Sequence, residues 1–90
     1  MKITELEIEL DGITGTITNY TRNPYVVGYL NSLKKYVIQQ NTELIKVSVS
    51  KLLEWYQKNF KDIMSSEYVF NKNDHILTNK FLQRVFNELS

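Results

Sequence analysis

The chain has no cysteine, which excludes a disulfide scaffold, a Cys-ligated zinc site and a thiol nucleophile. It has one histidine, His75, so a multi-histidine metal site and a His-rich triad are excluded too. Only three glycines are present, and none lies in a phosphate-cradling loop. No run approaches the ~18 apolar residues of a membrane span. The N-terminus, Met1-Lys2-Ile3-Thr4-Glu5, lacks the apolar stretch of a signal peptide. The expectation is a cytoplasmic protein with no membrane association. Alanine is absent as well, while Asn, Lys, Ile and Tyr are abundant. That bias follows AT-rich codons and points to a low-GC bacterium, a phage, a mobile element or a large virus.

What is present fits one small domain over residues 1–90. A chain of this size buries about 60–65% of its unfolded surface, so its stability is marginal. Apolar residues make up 42% and charged residues 23%. The net charge of +1 hides a polarity. Residues 1–20 carry Lys2 against Glu5, Glu7, Glu9 and Asp11, a net −3. Residues 21–90 carry ten Lys/Arg against six Asp/Glu, a net +4. The chain divides into an acidic segment, 1–21, and a mildly basic helical part, 22–90. Such asymmetry marks either a nucleic-acid surface or ordinary solvated clustering.

Leu6, Ile8 and Leu10 alternate with Glu5, Glu7 and Glu9, and Ile13, Gly15 and Ile17 alternate with threonines. Asp11-Gly12 between the two runs is a preferred type I′ turn, so a β-hairpin is predicted, with Gly12 at positive φ. The three glutamates would then share one face. Asn23-Pro24 reads as a cap and first residue of a helix running to about Gln40, with Val26, Leu30, Leu33 and Val37 inward. Tyr25, Tyr29 and Tyr36 form a stripe on its flank.

Residues 43–50 admit two readings. Ile45, Val47 and Val49 alternate as in a third strand, the first choice; a helix running straight through from Thr42 would instead group Ile45, Val49 and Leu52. The next helix, capped by Ser48 or Ser50 and ending near Met64, gathers Leu52, Leu53, Tyr56, Phe60 and Ile63, with Trp55 roughly opposite. Residues 65–77 read as a small hairpin or an irregular loop, with His75 on its surface. A last helix starts near Thr78 or Asn79, with Phe81, Leu82, Val85, Phe86 and Leu89 on its apolar face. The predicted fold is α+β: an N-terminal hairpin packed on three helices, the last two as a helix-turn-helix.

No catalytic residue, metal site or cofactor motif is found, and the protein is expected not to be an enzyme. Three features carry binding. On the last helix, Lys80, Gln83, Arg84 and Asn87 share a polar face of the type a recognition helix offers to phosphates and base edges. Trp55 stands between Lys51 and Lys58, an arrangement suited to stacking on a base or anchoring a protein partner. The tyrosine stripe is the third. Each has a plain alternative: a solvated helix face, a tryptophan packed under a neighbouring element, and a wet core margin.

Val47-Ser48-Val49-Ser50-Lys51-Leu52-Leu53-Glu54-Trp55-Tyr56-Gln57-Lys58-Asn59-Phe60 resembles the first helix of the winged-helix domain that ends phage and poxvirus-type primase-helicases. Leu77-Thr78-Asn79-Lys80-Phe81-Leu82-Gln83-Arg84-Val85-Phe86-Asn87-Glu88-Leu89 is similar to that domain's second helix. The resemblance spans 47–89 and implies that Lys80, Gln83 and Arg84 face nucleic acid. Residues 1–90 hold no ATPase motif, so helicase activity is not implied, and among them no wing is expected after residues 77–89.

The expected function is a small nucleic-acid-binding accessory or regulator of replication in a phage or mobile element. The alternative is a protein-binding inhibitor or adaptor, such as a phage anti-defence protein, working through the acidic segment or Trp55.

Overall fold

The structure is a computed structural model and describes residues 3–90. Met1 and Lys2, part of the N-terminal run read for a leader, lie outside the described residues. Four helices follow one another: α1 (Ile3–Tyr20), α2 (Pro24–Ile38), α3 (Thr42–Ser65) and α4 (Lys72–Glu88). Among the described residues there is no strand. The α+β expectation is therefore corrected to an all-helical fold.

The hairpin is overturned first. Leu6, Leu10, Ile13 and Ile17 are all buried, and their steps of four, three and four residues trace one face of a helix. An alternating strand would need Ile8 on the same side, yet Ile8 is 78% exposed. Asp11 and Gly12 lie in mid-helix, and no described glycine has positive φ. With its β-branched residues and two glycines, α1 is a poor helix by intrinsic propensity. Burial decides: each fully buried Leu or Ile contributes about 1.5–3 kcal/mol, and the helix packs all four into the common core while leaving only Ile8 of the aliphatic set outside. Glu5, Glu7 and Glu9 do not share a face; Glu5 and Glu9 turn toward α4 and Glu7 does not.

α2 forms as its sequence indicates. Asn23 Oδ1 accepts a hydrogen bond from the Tyr25 backbone N–H at 2.9 Å, Pro24 opens the helix, and Val26, Leu30, Leu33 and Val37 are buried. It ends in a Schellman motif: Asn41 N–H donates to Tyr36 O at 3.0 Å and Gln40 N–H to Val37 O at 3.1 Å. Gln40 takes the left-handed position at φ 54°, where glycine is usual.

The third strand is likewise corrected. Residues 43–50 continue α3 from Thr42, capped by Asn41, whose Oδ1 accepts from Leu44 N–H at 3.1 Å. Ile45, Ser48, Val49 and Leu52 turn inward while Val47 is 53% exposed, so the 3.6-residue period prevails over the alternation. Residues 66–71 form a six-residue connection, and α4 starts at Lys72, well before Thr78. His75 and Thr78 are buried in line with Leu82 and Val85. Polar residues at two of those four positions hide the apolar period from the sequence.

α2 packs on α1 and α3, α4 packs on α3 and α1, and the diagonal pairs do not touch through their backbones. Neighbours run antiparallel. Tyr20 at the end of α1 meets His75 at the start of α4, and Glu5 meets Arg84 at the opposite ends. Tyr56 and Lys46 on α3 meet His75 and Phe86 on α4. This is an up-down-up-down four-helix bundle with connections of three, three and six residues. α3 and α4 thus lie side by side, and the expected helix-turn-helix crossing is absent. The 24 residues of α3 extend about 36 Å and account for the 38 Å long axis.

Candidate partner-binding groove

The core of α3 is centred on Ile45, Val49, Leu52, Tyr56 and Ile63. Leu53 and Phe60 are half-buried and lie to one side of that line; counting them as central rotates the apparent face and makes Trp55 look opposite. Trp55 in fact lies on the other flank, half-buried and turned toward α2. Its ring meets Tyr20 edge-on, with centroids 5.8 Å apart, and leans on Tyr56 at 4.9 Å. Asn59 Nδ2 donates to Trp55 O at 2.8 Å and follows it on the same flank.

That flank faces Tyr25 and Tyr29 of α2. The two aromatic features read separately in the sequence therefore meet in one groove of about 390 Å³ between α2 and α3. Trp55 supplies its wall, Tyr25 (74% exposed) and Tyr29 its rim, and Tyr20 its end. Lys51 and Lys58, one turn before and after Trp55, are exposed at its mouth. Lys51 Nζ is 4.0 Å from a Glu54 carboxylate oxygen, whereas Lys58 has no ion-pair partner among the described residues. Arg22 stands exposed in the adjoining connection. Tyr36 packs against the core elsewhere and does not line the groove.

On α4, Lys80, Gln83, Arg84 and Asn87 are all exposed, as expected. They do not act as one cationic face. The Arg84 guanidinium is bound to Glu5 of α1 and lies over the Phe81 ring at 5.2 Å. Gln83 turns the other way, into a cleft of about 540 Å³ between α3 and α4 that it shares with Asn79, Gln57, Phe60 and Phe86.

His75 contradicts its surface assignment: it is fully buried. Its Nδ1 is 2.9 Å from the Tyr56 hydroxyl, and its Nε2 is buried with no hydrogen-bond partner. The rings of Tyr20 and Tyr56 each stand edge-on to the imidazole at 5.8 Å. Burial pushes the His75 pKa below its usual value, and the neighbouring Asp74 offsets this only in part. Burial raises the Tyr56 phenol well above its usual range, with Thr78 pulling weakly the other way. Among the described residues, no group of three acidic, histidine or cysteine side chains could hold a metal, and no helix is long and apolar enough to cross a membrane.

No protein-family model matches the chain, and no solved structure matches it. It is similar to YddK, an uncharacterized protein of Bacillus subtilis strain 168, with 29% identity over 85 residues. The match covers 94% of this chain and 32% of YddK, so the chain spans about a third of the length of that relative.

Proposed function

We propose that this chain is a protein-docking module, and that the α2–α3 groove receives an acidic partner segment bearing an apolar side chain. One observation carries the reading: Trp55, Tyr25 and Tyr29 converge on a groove whose mouth holds Lys51 and Lys58. Rigid aromatic walls give contact area at low entropic cost, and partner charge is steered by the two ammonium groups. A nucleic-acid role through α4 has less support. Its arginine is already engaged by Glu5, and the acidic α1 lies beside it, where phosphates would be repelled.

Trp55, the sole tryptophan, reports on the groove directly. Acidic peptides carrying Ile or Leu should shift and shield its fluorescence in a saturable, salt-weakened manner. Basic peptides of the same length should not. Saturable quenching by a single-stranded oligonucleotide, with no response to any acidic peptide, would replace the protein-docking reading with a base-stacking one.

A further inference from the structure

Two surfaces of this chain complement each other and lie on opposite flanks. The first is the groove, whose lining carries Lys51 and Lys58 against Glu54 and so a net positive charge, with Arg22 exposed in the adjoining connection. The second is the outer face of α1. Ile8 stands there half a helical turn from the buried line of Leu6, Leu10, Ile13 and Ile17. Glu7 and Asp11 border it, both exposed and without ion-pair partners among the described residues. Gly12 and Gly15, whose missing Cβ positions meet nothing within 4 Å, leave Ile8 standing clear of its surroundings. α1 and α3 are diagonal in the bundle, so the acidic face cannot reach the groove of its own chain.

We propose that a second copy of this chain occupies the groove, its α1 inserting Ile8 against Trp55 and Tyr25 while Glu7 and Asp11 face Lys51 and Lys58. This rests on the groove being a protein-docking site and names its occupant. The contact is heterologous: each copy uses its α1 on one neighbour and its groove on another. It therefore propagates head to tail into an open chain, or closes only as a ring.

Sedimentation velocity on the full chain at low salt tests this. The average mass should rise with concentration beyond a dimer and fall as salt is added. Ile8→Asp should abolish the rise, and so should Lys51→Glu/Lys58→Glu. Tyr25→Ala serves as a second groove variant, and circular dichroism checks the helix content of each. Ile8→Asp keeps an intact groove and the double lysine variant keeps an intact α1 face. Mixing those two should restore a 1:1 heterodimer and nothing larger. A wild-type chain that stays monomeric at every concentration would overturn self-docking. So would folded variants that associate like wild type, or a mixture that stays monomeric or grows past the dimer. A monomeric chain whose Trp55 still responds to acidic peptides unlike α1 would remove self-docking alone; no response to any acidic peptide would remove the docking reading as well.

Discussion

The Tyr56 hydroxyl of α3 sits 2.9 Å from His75 Nδ1 in the first turn of α4, with both side chains fully buried. The neutral imidazole is the form this site accepts. The folded state holds His75 below its usual pKa, so the unfolded chain takes up its proton first as pH falls. Its stabilising contribution is complete above about pH 6.5 and is lost as pH drops through the depressed folded value. Urea unfolding should give a lower free energy at pH 5.5 than at pH 7.5. With one histidine in the chain, His75→Phe should flatten that difference. A pH-independent wild type across this interval would contradict the buried assignment.

Tyr56→Phe should cost about 1–3 kcal/mol, because the change strands His75 Nδ1 beside the already unpartnered Nε2. Chemical denaturation at neutral pH checks this. A neutral result would mean that the phenol and imidazole are not bonded.

The helical α1 and the hairpin it replaces respond in opposite ways to glycine substitution. In a helix, with open space around each missing Cβ, Gly12→Ala and Gly15→Ala should each raise stability by roughly 0.5–1 kcal/mol. In a type I′ turn Gly12→Ala would lower it. Gln40→Gly should also stabilise, by about 1 kcal/mol, by relieving the left-handed strain that closes α2. Thermal melts of the three single variants decide each case.

The exposed Glu5–Arg84 pair is a weak link despite spanning the ends of the chain. Its side chains are about half exposed. A double-mutant cycle with Glu5→Gln and Arg84→Gln should give a coupling below about 1 kcal/mol that shrinks with salt.

α2 was legible because every local signal agreed: Asn23-Pro24 at its start and Val26, Leu30, Leu33 and Val37 at helical spacing. α1 was not. Its Glu/Leu/Ile alternation and Asp11-Gly12 fit a hairpin locally, and only the burial of Leu6, Leu10, Ile13 and Ile17 in the bundle core, with α1 packed on α2 and α4, selects the helix. Residues 43–50 fit both periods, and the exposed Val47 settles them only in the folded bundle. α4 was legible from Thr78 onward; its first turns were hidden because His75 occupies a core position that apolar patterning does not flag. Lys51, Trp55 and Lys58 were visible as a group from their i−4 and i+3 spacing. Their meeting with Tyr25 and Tyr29 depends on how α2 and α3 pack, which no spacing within either helix encodes.

Charge reversal across the groove tests the docking account most directly. An acidic, isoleucine-bearing helical peptide should bind the wild-type chain, read by Trp55 fluorescence. Lys51→Glu/Lys58→Glu should weaken it by about tenfold or more, which is about 1.4 kcal/mol or more. The same variant should gain affinity for a peptide with lysine at the acidic positions. Equal affinity of both proteins for both peptides, or no binding to either, would contradict the account.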